Sequence, residues 1–264
     1  MAQHIQTLPF TTDAGIGTSA RLGMIILQSD QTVEYEAAQI IHSLSDDKAD
    51  KSAVALYHTR IPNDQEVTED TLQDMAAALP ASASLMPESF GFDAVGYGCT
   101  SGSTIIGEAE VDRLIKTAHP RAKTTNPITA CKAALRALNI SSLALITPYA
   151  ISVTQAMQDN LQTDGFQVKA VATFDQSDDF TVARITSQSL MEAVMAIGTR
   201  DDCEAVFISC TSLRALPIIA RAEAALGKPV LSSNQVFIWH LMRLAGLQDS
   251  VANAGCLFDK QLTN

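Results

Sequence analysis

Two stretches of the chain decide its reading: DAVGYGCTS at residues 93–101 and EAVFISCTS at residues 204–212. Each starts with an acid and Ala-Val, runs through small or apolar residues, and closes on Cys-Thr-Ser. A short apolar run bounded by turn residues reads as a buried strand. Cys99 and Cys210 therefore stand at the ends of two equivalent strands, each followed by two hydroxyl-bearing residues that open a turn.

The repetition extends outward in both directions. Before Cys99, LGMIIL (22–27) and SAVALYH (52–58) read as strands, with helical spacing over 33–44 and 65–79 and a stop at Pro80. A helix is expected near 103–118, ending before Pro120. Before Cys210, LALIT (143–147), FQVKAVATF (166–174) and EAVFIS (204–209) read as strands. Helices are expected at 150–163, 181–197 and 213–226. After each cysteine, at nearly the same offset, comes a second matched pair: TTNPITACKAALRAL from Thr124 and SSNQVFIWHLMRLAG from Ser232. Two matches in one order imply an internal duplication.

Alternating strands and helices imply parallel sheets covered on both faces. The expected fold is α/β: two pseudo-symmetric Rossmann-like lobes, each a mainly parallel four-stranded sheet flanked by helices, with the active site in the cleft between them. Residues 1–122 are assigned to the first lobe and 123–232 to the second. The segment 233–264, with its helix at 234–246, is expected to return to the first lobe. Ligands in such sheets bind beyond the carboxyl ends of the strands. Asp30, Cys99, Asn126, Thr147, Tyr149, Cys210 and Asn234 all fall just after expected strands.

Bulk properties narrow the partners. The chain has 264 residues, 47% of them hydrophobic, and a formal net charge of −11, without a basic patch. Nucleic acid is therefore not an expected partner. No apolar run reaches the ~20 residues of a membrane span. The N-terminus lacks a basic-then-apolar signal segment and reads as a polar arm. The five cysteines show neither CxxC nor zinc spacing, which points to a reduced, cytoplasmic protein with no metal. A homo-oligomer stays open. Cys131, Cys203 and Cys256 lack the repeated context and read as structural, and His240 reads as a helix-face residue. The isolated GIG near the N-terminus follows no strand and is not a dinucleotide loop.

A thiol at a strand-to-helix turn feels the helix dipole and free N–H groups, which lower its pKa. The same groups, with Thr100, Ser101, Thr211 and Ser212, are suited to hold a substrate carboxylate. Two such turns face to face suggest a two-base mechanism. One thiolate removes a proton alpha to a carboxylate and the opposite thiol returns one from the other face. In a variant, one thiolate adds to a double bond and the other thiol acts as the acid. Neither requires a cofactor. A two-lobed small-ligand binding module shares the architecture but has no need of two thiols.

The paired CTS turns, the TNP and SSN motifs and TPY at 147–149 resemble the aspartate/glutamate racemase superfamily. The similarity is strongest to its branch of maleate cis-trans isomerases, arylmalonate decarboxylases and racemase-like proteins of ectoine-utilisation gene clusters. The resemblance covers nearly the whole chain. It implies Cys99 and Cys210 as catalytic residues, Tyr149 as a carboxylate ligand, Asn126 and Asn234 as cleft residues, and no cofactor. Arylmalonate decarboxylases keep only the second-lobe cysteine, so the pair argues for racemase or isomerase chemistry. Where the maleate isomerases have SSNTT after the first strand, this chain reads Gln28-Ser29-Asp30-Gln31-Thr32. Asp30 would repel a second carboxylate and accept an ammonium or amide. It can also cap the helix that follows. The expected activity is racemisation or isomerisation of a small amino acid or N-acyl amino acid, with a place in ectoine catabolism. Maleate-type isomerisation and arylmalonate-type decarboxylation are the alternatives.

Overall fold

β1 (Ala20–Leu27) is buried along nearly its whole length, as a strand covered on both faces must be. A computed structural model describes residues 5–45, 53–64 and 66–263. In it β1 pairs in parallel with β2 (Val54–Ile61) and β3 (Ala94–Gly98), and β3 with β4 (Lys123–Thr125), in the order β2-β1-β3-β4. A second parallel sheet repeats this with β5 (Ser142–Thr147), β6 (Gln167–Thr173), β7 (Ala205–Ile208) and β8 (Val230–Ser232), in the order β6-β5-β7-β8. The expected fold of two parallel four-stranded sheets flanked by helices is what forms. The registers Ile26↔Gly98 and Ile146↔Ile208 end the central strands of both sheets at equivalent points. Cys99 and Cys210 lie immediately beyond, on the carboxyl edges where ligand sites form.

The connecting helices are α1 (Val33–Ser45), α2 (Glu69–Ser84), α3 (Thr100–Ile106), α4 (Glu108–Lys116), α5 (Pro127–Ala137), α6 (Ile151–Thr163), α7 (Asp179–Val182), α8 (Ser187–Gly198), α9 (Leu216–Leu226) and α10 (Ser233–Leu244). Among the described residues no helix is long and apolar enough to cross a membrane. Several helix ends differ from the sequence expectation. α2 continues through Pro80, because Leu72, Met75, Leu79 and Ala83 form one buried face whose packing outweighs the lost backbone bond. The helix expected at 103–118 starts at Thr100 and breaks at Gly107, which takes φ +94. The one expected at 181–197 divides into α7 and α8, and the one at 213 starts only at Leu216. The expected starts at residues 52 and 65 lie outside the described residues.

The assignment of residues from 123 onward to the second lobe is also corrected. β4 hydrogen-bonds to β3, so the first sheet is complete only at Thr125. Sequence spacing reveals a strand here but not its partner. α10 starts at the edge of the second sheet, capped by Ser232 and Gln235, and then packs over β3, β4 and α5 of the first half. The ring of its Phe237 packs against Gly96. A Cβ at Gly96 would stand 2.3 Å from that ring. Gly96→Ala is therefore expected to destabilise the protein by about 1–3 kcal/mol, read from the urea midpoint. Adding Phe237→Leu should recover part of the loss, since the two sites share one clash. Additive losses would show that the helix is not held this closely.

Candidate active site

Cys99 is the N-cap of α3. Its Sγ accepts the Gly102 N–H at 3.2 Å and lies 3.7 Å from the Ser101 hydroxyl. The second cysteine is held differently. Cys210 takes φ +128, a region that side chains with a Cβ rarely occupy and that costs on the order of 1–3 kcal/mol. No helix follows it directly, so the expected N-terminal dipole is present at Cys99 but not at Cys210. The strained turn is clamped by the start of α10. Ser233 Oγ accepts the Cys210 N–H at 2.9 Å and the Thr100 hydroxyl at 2.8 Å. Asn234 Nδ2 donates to the Thr211 carbonyl at 2.9 Å, and Thr211 Oγ1 donates to the Gly98 carbonyl at 3.4 Å. The two Cys-Thr-Ser turns are thus tied directly to each other.

Together they line one small cavity of about 20 Å³. Cys99, Thr100, Ser101, Tyr149, Cys210, Thr211 and Ser212 all reach it. Asn63, Asp64, Glu66 and Val67 line it too. The Val67 N–H donates to the Ser177 carbonyl at 3.0 Å, and Glu66 forms an antiparallel bridge with Asp178.

Four other expected site residues do not line the cavity. Asn126 caps α5, accepting the N–H groups of Ile128 and Thr129 at 3.1 and 3.0 Å. Thr147 pairs with the Thr154 hydroxyl at 2.6 Å. Asn234 belongs to the clamp. Asp30 is buried behind the wall, where Oδ1 accepts the N–H groups of Thr32 and Val33 at 2.7 and 2.9 Å. Hydroxyl and amide residues after a strand serve as caps as readily as ligands, so position alone did not separate the two uses. Two residues escaped the sequence reading. Asp179 lines the cavity, accepting the Ser29 hydroxyl at 2.6 Å and the Ser212 hydroxyl at 3.4 Å. Tyr97 places its hydroxyl beside Cys99, much as Tyr149 stands beside Cys210. The spacing of an acid at the start of a one-turn helix, or of a tyrosine inside a strand, carries no signal that could have marked them.

The electrostatics also correct an expectation. Burial pushes the Cys99 thiol up to about 11, against the weaker lowering by the Gly102 N–H and Ser101. Burial pushes Cys210 higher still, and the Asp179 carboxylate adds to it. Desolvation of the thiolate outweighs the turn's donors, so the thiols rest protonated. Both sulfurs have donors, the Gly102 N–H at Cys99 and the Tyr149 hydroxyl and Ser212 N–H at Cys210, but burial and Asp179 raise Cys210 further, so Cys99 is the more easily ionised. Among the described residues no group of three His, Cys, Asp or Glu side chains is placed to hold a metal ion. The arrangement offers a small substrate one thiol from each half of the fold, with hydroxyls around its edge.

Residues 63–258 match the family model described as arylmalonate decarboxylase. A maleate isomerase from Alcaligenes faecalis is 30% identical over 122 residues, which is 46% of this chain and 48% of that relative. The maleate isomerase Iso from Pseudomonas putida S16, solved with maleate, superposes with a TM-score of 0.84 at 20% identity. The superposition covers 93% of this chain and 99% of that one. A mutant Nocardia farcinica maleate cis-trans isomerase with a covalently bound succinylcysteine intermediate superposes with a TM-score of 0.80 at 23% identity, over 91% and 98% of the two chains.

Behind the clamp lies a further buried acid. Glu36 accepts the Leu216 N–H at 2.9 Å and the Asn234 amide at 2.8 Å. Burial pushes its carboxyl from 4.5 up to about 7. A carboxyl raised in the folded state binds more protons folded than unfolded. Its contribution therefore favours folding below pH 4.5 and is lost as pH rises through about 7. The loss is on the order of 3 kcal/mol. The urea midpoint of the wild-type protein is expected to fall between pH 5 and 8, more steeply than that of Glu36→Gln. Parallel curves would place the Glu36 pKa in the ordinary range.

Proposed function

The chain belongs to the arylmalonate decarboxylase family, and we propose that it is a cofactor-independent isomerase acting on a small carboxylate through the Cys99–Cys210 thiol pair, by maleate-type cis-trans chemistry. One observation carries the reading: thiols from equivalent strand ends of two repeated sheets line a single cavity.

The chemistry follows from the unequal environments of the sulfurs. Cys99, nearer to ionisation, is the nucleophile, and Cys210, held protonated among carboxylates, is the acid. The Cys99 thiol first gives up its proton to solvent, and the thiolate so formed adds to one alkene carbon, forming an S–C bond. The π pair moves to the neighbouring carbon, next to the substrate carboxylate, and Cys210 protonates that carbon. The former double bond is now single and turns. The Cys210 thiolate then removes the proton, the electron pair re-forms the alkene in the trans geometry, and the S–C bond breaks to release the Cys99 thiolate. Hydroxyls of Ser101 and Tyr149 are suited to stabilise the developing charge. The succinylcysteine found in the Nocardia farcinica relative supports a covalent course of this kind.

A second reading uses the same pair for proton transfer alone. One thiolate takes the alpha proton of an amino acid or N-acyl amino acid, and the other thiol returns one from the opposite face. Asp179 favours it, because a carboxylate lining the site suits an amino group better than a second carboxylate. Exchange of the substrate alpha hydrogen with deuterated water, without cis-trans conversion, would select it. The N-acyl substrate and a role in ectoine catabolism belong to this reading.

The two sulfurs are expected to fail differently. Cys99→Ser should lose on the order of 10³-fold or more in kcat/KM and form no adduct. Cys210→Ser should lose turnover yet accumulate a substrate adduct on Cys99, visible in the intact mass. Full turnover by Cys99→Ser would refute the two-thiol mechanism and leave Cys210 acting alone.

A further inference from the structure

Matched position by position, Tyr97 of the first repeat corresponds to Ile208 of the second. The first copy thus carries a phenol where the second carries an alkyl chain. Tyr97 is fully buried in β3, and its hydroxyl donates to Met75 Sδ of α2 at 3.4 Å. Gly102 fixes where that hydroxyl lies relative to the thiol. A Cβ at Gly102 would stand 2.7 Å from the Tyr97 hydroxyl oxygen, 3.0 Å from Cys99 Sγ and 3.0 Å from Met75 Cε. The three groups surround one point, and the absent Cβ leaves the hydroxyl open to the sulfur. Cys99 and Met75 line the cavity, whereas Tyr97 stands behind its wall. Burial holds the Tyr97 proton well above the usual tyrosine range, so the phenol stays a donor. At rest that donor is spent on a poor acceptor. A thioether accepts weakly, and a thiolate accepts strongly.

We propose that Tyr97 is a positioning residue for Cys99: its hydroxyl rests on Met75 Sδ while Cys99 is a thiol and turns to Cys99 Sγ when that sulfur ionises. The role rests on the reading of Cys99 as the nucleophile. The turn is a rotation of O–H about its C–O bond, and the ring stays in place. No bond to Tyr97 forms or breaks, and the thiol proton leaves to solvent. Once the sulfur has added to substrate it is itself a thioether, no better an acceptor than Met75, and the hydroxyl is released. The donor therefore favours the thiolate over both the thiol and the adduct. It approaches from within the protein, so the cavity face of the sulfur stays clear for substrate. The tyrosine beside Cys210 is Tyr149, which lines the cavity. Only the Cys99 side keeps its phenol out of the substrate's reach.

Hydrogen peroxide, close to water in size, reads the thiolate directly, because cysteine oxidation follows the ionised fraction. The rate at Cys99 is measured by peptide mass from about pH 7 to 9. Every protein in the series carries Cys210→Ser, so that no neighbouring thiol captures the oxidised sulfur. The other titratable groups on the cavity, Asp64, Glu66, Tyr149 and Asp179, are the same throughout. Tyr97→Phe keeps the packed ring and is expected to slow oxidation on the order of tenfold at each pH, the loss of one hydrogen bond to a charged acceptor. Met75→Leu removes the resting partner at similar volume and is expected to act in the opposite direction, about threefold faster. In the Tyr97→Phe background that gain should vanish, since no hydroxyl is left to release. Equal rates with and without the Tyr97 hydroxyl, absence of reaction included, would overturn the role. A Met75→Leu gain that persists without the hydroxyl would report access to the cavity alone, and would overturn it too. Cis-trans conversion of maleate, measured with Cys210 intact, separates this role from the reading it rests on. Conversion by the wild-type protein with unchanged oxidation rates defeats the Tyr97 role only. Slowed oxidation in Tyr97→Phe without conversion by the wild-type protein keeps Tyr97 at the sulfur and defeats the maleate-type reading.

Discussion

The site depends on a single hydroxyl. Ser233 Oγ takes the hydroxyl of Thr100 from one cysteine turn and the backbone N–H of Cys210 from the other. Without that bond the Cys210 backbone would have no evident reason to remain at φ +128. Strained backbone persists only where its surroundings over-determine it. Here the surroundings are Ser233, the Asn234 amide on the Thr211 carbonyl, and the Thr211 hydroxyl on the Gly98 carbonyl. The rigidity of α10, buried along most of its length, is passed through these bonds to the thiol.

The same helix explains why two similar halves make one site. α10 leaves the second sheet and packs on the first, with Phe237 seated against Gly96. A half that kept this helix to itself would have its own carboxyl edge and its own cysteine, facing solvent. The passage of α10 from the second sheet to the first ties the two carboxyl edges together through Ser233. Val67 and Glu66, which line the cavity from the first half, are bonded to Ser177 and Asp178 of the second.

Closure has an electrostatic cost. It buries thiols, tyrosines and carboxyls together and raises the pKa of each, since the charged forms lose water. The thiols are therefore not activated at rest, in contrast to what a cysteine at a turn suggests. What distinguishes them is their unequal surroundings. Each sulfur has an N–H donor, but burial and the Asp179 and Asp30 carboxylates weigh more heavily on Cys210 than on Cys99. That inequality is the basis of the proposed division into nucleophile and acid.

The fold was written in the sequence because its signals are local or repeated. Apolar runs of strand length, helical periodicity and the twice-used Cys-Thr-Ser turn are readable residue by residue, and they marked the two cysteines, their hydroxyl neighbours and Tyr149. Boundaries set by packing were not readable: α2 runs past Pro80 because its buried face continues, and β4 belongs to the first sheet because β3 is its neighbour in space. The site's remaining members depended on tertiary structure for the same reason. Asn126 and Asn234 look alike in sequence, yet one caps a helix and the other clamps a strained turn. Asp179 carried no sequence mark until the fold brought the start of α7 against Ser29 and Ser212. Local pattern determines which elements form and where their ends can bear chemistry. Which side chains share a cavity, and how far burial shifts their protons, is decided by contacts between residues distant in the chain.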